Sequence, residues 1–346
     1  MKIQLKMKKN TIYFYHDKRS LNEATIHYVS LICQSIRETN DYDIIYTNDF
    51  KSVSISKDDI ILTITSVYFL RAKFNFFKNK HIYWAQGIGP EEYLLRNERK
   101  DIKFYIKQFI EKFAVKQSDV LFLVSISMLN HFQKKYKYFK DTYMVMPCYN
   151  LNNLENSSNI NQKIKNSFVY AGSLDKWQCI DRTIEIFSEY QKLVPSASIK
   201  FLVKNPNLLQ EKINKYNISN YSFDFVKIDQ LQHELLKYEY GFIIRDNNIV
   251  NNVATPTKFN SYLSSYVKPI ITDVIDDYNM NFKKYESVLI IDYYKNNSEL
   301  AKIIYEHSIK NINTDKLIQN CSEIFINYYN DDNYKQKIKS IIINVL

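Results

Sequence analysis

Short apolar, β-branched runs alternate with amphipathic stretches of helical period, and the alternation occurs twice in succession. In the first half, strands are expected at 11–15, 43–46, 59–64, 81–84, 119–124 and 143–146, with helices at about 22–38, 101–117 and 127–137. An Asn- and Ser-rich stretch, 151–165, interrupts the pattern and reads as a linker. The pattern then restarts, with strands at 167–171, 198–203, 222–226, 241–244, 268–272 and 287–291. Helices fall at 180–193, 207–216, 230–237, 256–266 and 298–309, and an amphipathic segment from about 315 to 345 closes the chain. Strands alternating with helices at this spacing build parallel sheets covered by helices. The expected fold is α/β, with two doubly wound domains facing a cleft. Their bounds are 1–150 for the first, 151–166 for the linker and 167–320 for the second, with residues 321–346 as a last helix packing back on the first domain. Ligands in such sheets lie beyond the carboxyl ends of strands, so the turns after strands are where chemistry is expected.

Glycine narrows the choice further. Only 4 of 346 residues are Gly, which excludes a P-loop and a dinucleotide-binding G-x-G-x-x-G. The 45% apolar and 24% charged content is that of a globular chain. An excess of 47 Lys and Arg over 37 Asp and Glu gives a net charge of +10, which suits an anionic partner: nucleic acid, a phosphorylated small molecule or an anionic membrane. A chain rich in Lys, Asn, Ile and Tyr also follows from AT-rich codons, so the charge carries little weight. No nucleic-acid-binding motif is present and the 29 tyrosines are evenly spread, so no nucleic-acid partner is expected.

Cys33, Cys148, Cys179 and Cys321 are far apart and the six histidines show no metal spacing, so reduced thiols and no metal are expected. The basic start, Met1 to Lys9, is not followed by an apolar stretch of signal-peptide length. The longest apolar run, Ile60 to Leu70, is too short to span a bilayer. The expected location is the cytoplasm, with any membrane contact peripheral and at the inner face of the cytoplasmic membrane.

Gly87, Gly89 and Gly172 follow expected strands, where a cleft would need close backbone approach. The segment 241–272 is the most informative. Arg245, Asp246, Asn247 and Asn248 stand at the carboxyl end of a buried strand, and Thr255-Pro256-Thr257-Lys258 then opens a helix, with Thr255 as N-cap and Pro256 at the first helical position. Free N–H groups at a helix start bind phosphate. Lys258 there opposes the helix dipole, a conflict that a bound anion would remove; the plain alternative is a solvated lysine. The turn Gly172–Gln178 also leads into a helix, with Ser173 and Lys176 able to reach a phosphate and Trp177 able to stack on a base or to pack. Glu91 and Glu92 follow Pro90 at a helix start, and one could serve as an acceptor-side base. His16 follows the first strand and could touch the cleft. Helix 101–117 sets Phe104, Ile106, Phe109, Ile110 and Phe113 against Lys103, Lys107, Lys112 and Lys116, which fits core packing or peripheral binding to anionic lipid.

Taken together, WAQGIGPEE (84–92), LVSISMLNHF (123–132), VMPCYN (145–150), FVYAGSLDKWQ (168–178) and GFIIRDNNIVNNVATPTKFNSYL (241–263) resemble GT-B retaining glycosyltransferases of the family 4 type, above all bacterial members that build capsule, lipopolysaccharide or similar surface glycans. The resemblance implies two Rossmann-like domains and transfer from a nucleoside diphosphate sugar, UDP- or GDP-linked, to a glycan or lipid-linked oligosaccharide acceptor. It implies retention of configuration, with neither metal nor cofactor. Gln86 and Gly87 match the loop where many relatives carry a His or Gly facing the donor sugar. On this resemblance the catalytic candidates are Arg245, Lys258 and Gln86. The nucleotide-sugar contacts are Gly87, Gly172, Ser173, Lys176, Asp246, Asn247, Thr255, Pro256, Thr257 and Ser261, together with the N–H groups of 172–173 and 256–258. One departure stands out: the usual pair of glutamates eight residues apart is replaced by Val253 and Ser261. That departure keeps open a catalytically silent partner subunit, and a GT-B sugar-nucleotide epimerase is a further alternative.

Overall fold

The computed structural model describes residues 10–17, 25–39, 42–151, 154–310 and 312–345. The chain divides into two units, Met1–Cys148 with Asp331–Leu346, and Tyr149–Asn330.

In the first unit the strands are β1 (Asn10–Tyr15), β2 (Tyr42–Thr47), β3 (Ile60–Thr63), β4 (Lys80–Ala85), β5 (Val120–Leu123) and β6 (Tyr143–Val145). All pair in parallel, in the order β2-β1-β3-β4-β5-β6. The helices are α1 (Ile26–Arg37), α2 (Ser66–Asn75), α3 (Gly89–Asn97), α4 (Ile102–Gln117) and α5 (Ile126–Tyr136). Central strands β3, β4 and β5 are buried along nearly their whole length, the pattern of a parallel sheet covered on both faces. Trp84 on β4 lies flat on Tyr28 of α1, ring centroids 3.7 Å apart and planes 4° apart. Burying each large apolar side chain of this kind contributes ~1.5–3 kcal/mol.

The second unit repeats the plan. Its strands are β7 (Ile164–Ala171), β8 (Ser198–Leu202), β9 (Tyr221–Asp224), β10 (Tyr238–Ile243), β11 (Lys268–Thr272) and β12 (Leu289–Ile291). They too pair in parallel, in the order β12-β11-β10-β7-β8-β9. The helices are α6 (Ile180–Leu193), α7 (Asn207–Lys215), α8 (Ile228–Leu235), α9 (Ile249–Asn252), α10 (Thr257–Ser264), α11 (Asp276–Phe282), α12 (Asn297–Ile309) and α13 (Thr314–Asn327). The core is aromatic: Phe168 on β7 stacks on Tyr240 and Phe242 of β10, at 5.3 and 5.4 Å.

Three local features go beyond the expectations or change them. The run 66–75, assigned no element from the sequence, is a helix, and Thr65 caps it by accepting from the Tyr68 amide at 3.4 Å. The segment 315–345 is two helices, α13 and α14 (Asp331–Val345). Between them Tyr329 is buried against Tyr149, with centroids 5.3 Å apart. Of the helix expected at 22–38, residues 26–37 form α1, while 22–24 lie outside the described residues.

Candidate functional site

Strands β7 and β10 are neighbours in the second sheet, so the turns leaving their carboxyl ends lie side by side. From β10 comes Arg245, whose backbone is clamped to β11. Its amide donates to Thr272 Oγ1, and Thr272 Oγ1 donates back to its carbonyl, both at 2.9 Å. Its side chain is 3% exposed. Nη1 donates to the Trp177 carbonyl at 2.6 Å and to Gln178 Oε1 at 2.7 Å, while Nε is buried with no partner among the described residues. From the first turn of α10 comes Lys258, whose Nζ donates to the same Gln178 Oε1 at 2.7 Å. That ammonium also sits 4.1 Å from the centroid of Tyr170 on β7, a cation–π contact.

Two cations therefore converge on one neutral amide oxygen. Among the described residues, neither takes part in an ion pair with an Asp or Glu. The electrostatics follow from this. Burial first, and the adjacent Arg245 second, push Lys258 well below the usual lysine range. Burial lowers Arg245 as well.

Gly172 makes room for the lysine. Its φ of +138° is a conformation that side-chain-bearing residues rarely adopt, and a Cβ there would lie 3.1 Å from Lys258 Nζ. Four other candidates of this unit, Ser173, Lys176, Asp246 and Asn247, lie on exposed turns. Ser173 is exposed and donates to Asp175 Oδ2 at 2.8 Å, and Lys176 is exposed on the short helical turn 176–178. Asp246 and Asn247 are exposed beyond Arg245; Asn247 donates to the Tyr294 hydroxyl at 3.0 Å.

Several details differ from the sequence expectation. Helix α10 begins at Thr257, its N-cap is Pro256 rather than Thr255, and no side chain caps it. Thr255 is buried at 5% exposure. Pro256 has no N–H, so the donors at this helix start are Thr257 and Lys258. The Gly172 amide is engaged by the Leu202 carbonyl at 3.1 Å and is not free for an anion. Ser261 is 2% exposed and donates to Asn150 Oδ1 at 3.1 Å, which turns its hydroxyl inward, and Val253 is 1% exposed. Two residues of the cluster were not anticipated as ligands of the cations. Gln178 was visible as the last polar residue of the Gly172 turn, whereas Tyr170 carried no signal, being an aromatic residue on a buried strand.

The remaining candidates belong to the first unit, at the end of β4. Gln86 is half-buried, and its Nε2 has no partner among the described residues. At Gly87 a Cβ would run into the Glu92 carboxylate, and burial raises the Glu92 pKa above the usual carboxylate value. Glu91 and Glu92 do open α3, after Pro90. Glu91 pairs with Lys135 at 2.6 Å, and Glu111 accepts from the Gly89 amide at 2.8 Å, tying the turn to α4. His16 stacks on Phe14, with centroids 5.1 Å apart.

No family model and no curated protein matches the sequence, but solved structures match over most of its length. A TarM variant of S. aureus in complex with Fondaparinux, alpha-GlcNAc-glycerol and UDP superposes with a TM-score of 0.62 at 11% identity, over 86% of this chain and 57% of that one. This chain thus spans little more than half of TarM. WaaG, a glycosyltransferase involved in lipopolysaccharide biosynthesis, superposes at 0.67 and 10% identity, over 95% of this chain and 99% of that one. The fold is GT-B. Sucrose-phosphate synthase from Thermosynechococcus elongatus, at 0.69 and 10% identity, covers 97% of this chain and 98% of its own. The GT-B likeness thus extends over both sheets, and at these identities it establishes architecture alone.

Proposed function

We propose that this GT-B chain is a glycosyltransferase that moves a sugar from a UDP- or GDP-linked donor to a glycan or lipid-linked oligosaccharide. In this reading it is retaining and metal-independent and works in bacterial surface polysaccharide synthesis. The observation that carries the reading is the Arg245–Lys258 pair, two buried basic groups that share Gln178 and, among the described residues, pair with no carboxylate. The TarM complex, which includes UDP, lends it support.

The chemistry follows from that pair. As the glycosidic bond to the diphosphate breaks, negative charge builds on the leaving oxygen. Fixed cations in a poorly hydrated site stabilise that charge more in the transition state than in the ground state. Arg245 is already oriented by Trp177 and Gln178, so little reorganisation is needed. The Thr257 and Lys258 N–H groups add the positive end of α10. The acceptor attacks on the face from which the diphosphate departs. In the first unit the candidate is Gln86, tested separately through Gln86→Ala.

Calorimetric titration with UDP, GDP, CMP and ADP, without added metal, tests the reading. One diphosphate should bind, and Lys258→Ala and Arg245→Ala should each weaken it at least tenfold. No binding by any nucleotide overturns it. A second reading, a catalytically silent subunit, is favoured by Val253 and the inward-turned Ser261 at the usual glutamate positions. Nucleotide binding without release of nucleoside diphosphate from any sugar donor and acceptor would select it.

A further inference from the structure

Helix α4 is turned opposite to the usual way round for a surface helix. Phe104, Glu111, Ala114 and Val115 form its buried face. Its solvent side carries Ile102, Tyr105, Ile106 and Phe109, exposed by 73, 56, 51 and 65%. The spacing 102, 105, 106, 109 places all four on one stripe of the helix. Core packing, one of the two roles expected of this apolar face, is therefore not what Ile106 and Phe109 do. The stripe continues onto α2 and the turn after it. Phe113 is half-buried and stacks on Phe74, with centroids 5.9 Å apart and planes 5° apart, and Phe74 and Phe77 are 72 and 67% exposed. A contiguous exposed apolar patch on a soluble fold marks a docking surface.

The charges around the stripe identify what docks. Between residues 102 and 117 the chain has four lysines, Lys103, Lys107, Lys112 and Lys116, and one acid, Glu111. That acid is buried at 3% exposure and faces inward, where it pairs with Lys135. Lys78 and Lys80 add positive charge beside Phe77. Lys80 pairs with Asp119 at 3.7 Å, and Asp101 at the helix start pairs with Arg99 at 3.1 Å, so the exposed charges of α4 itself, 102–117, are of one sign and flank an apolar stripe. Anionic headgroups above an acyl boundary complement that combination. Among the described residues no helix is long and apolar enough to cross a membrane, so the contact lies in the interface plane.

We infer that α4, with Phe74 and Phe77, is a membrane-docking surface that inserts its apolar stripe into the interface of an anionic bilayer. It is carried by the first unit alone and is independent of the donor-site reading.

Co-sedimentation of the full chain with phosphatidylglycerol-containing and pure phosphatidylcholine vesicles tests it. The chain should pellet with the anionic vesicles and remain in solution with the neutral ones. Ile106→Ser/Phe109→Ser should lower the partition coefficient at least tenfold while leaving the melting curve and nucleotide binding intact, since both side chains are exposed. Lys103→Gln/Lys107→Gln/Lys112→Gln should weaken binding and flatten its salt dependence. Equal binding by the Ser variant, or no binding to anionic vesicles, overturns the inference. So does a wild-type dimer that the Ser variant dissociates in the absence of vesicles, which would make the stripe a contact between copies.

Discussion

Arg245 and Lys258 donate to one and the same oxygen, Oε1 of Gln178, each at 2.7 Å. An amide oxygen carries only a partial negative charge, so it orients both cations without neutralising either. Like charges held this close in a site shielded from water are unfavourable to the empty fold. The same strain is what an incoming diphosphate would relieve.

Lys258→Met should therefore stabilise the ligand-free protein while impairing ligand binding. The apolar stem is retained, one buried charge is removed, and Gln178 keeps Arg245 as its donor. A gain of about 1–2 kcal/mol, read as a higher melting temperature, would fit the exchange of stability for function seen at active sites. Loss of affinity for the nucleoside diphosphate by tenfold or more should accompany it in calorimetric titration.

The pH dependence of stability has a defined sign. Burial lowers both Lys258 and Lys163, the latter to about 7. A base with a depressed folded pKa binds more protons when unfolded, so stability rises with pH until the unfolded value is passed. The cost of burying Lys163 is complete below pH 7 and fades as the pH rises above it. Melting temperature should rise from pH 7 to 9, and Lys258→Met should show a shallower rise. Above pH 10 the buried tyrosines reverse the trend, because burial raises Tyr170, Tyr240 and Tyr262.

Binding of the diphosphate should take up protons. A nearby anion favours the charged form of Lys258, opposing the burial that disfavours it. Titrations across a series of pH values below the ordinary lysine range, in buffers of different ionisation enthalpy, should reveal net uptake that Lys258→Met abolishes. Equal proton release and uptake in the two proteins would assign the linkage to another group.

Gly172→Ala should damage both fold and site. The methyl group would sit in a backbone region close to glycine-only and press on Lys258 Nζ. A loss of about 1–3 kcal/mol in denaturant unfolding is expected, with weaker nucleotide binding.

Ser261→Ala separates the structural role from the ligand role. Its hydroxyl is engaged by Asn150. Stability should fall by about 1 kcal/mol, and UDP affinity should stay within twofold. A tenfold loss of affinity would instead place this residue on the nucleotide.

The two sheets were legible because buried parallel strands are near-continuous apolar runs bounded by polar turns, as in DIILTI and SFVYA. Helix 66–75 was not, since Val67, Tyr68, Phe69 and Leu70 favour a strand and only the Thr65 cap settles the matter. The cations were legible from their place after strands. Their shared acceptor was not, because Gln178 meets Arg245 and Lys258 across 67 and 80 residues of chain. For α4 the sequence left two readings open, core packing and peripheral binding to anionic lipid: periodicity shows that a helix has an apolar side, and only the surroundings decide which side faces inward.

Residues 331–345 complete the first unit, although the whole of the second unit is written between them and Cys148. Ile338 and Ile342 of α14 are buried, Lys339 bridges to Glu38 at 2.6 Å, and Asp331 meets His27 at 3.3 Å. On the ribosome, the first unit would therefore wait with α1 uncovered while 182 residues of another core emerge, Tyr149 to Asn330. The order of synthesis and the order of completion are reversed: the domain begun first is the one finished last, and a nascent chain stalled before Asp331 would present a folded second unit behind an unsealed first.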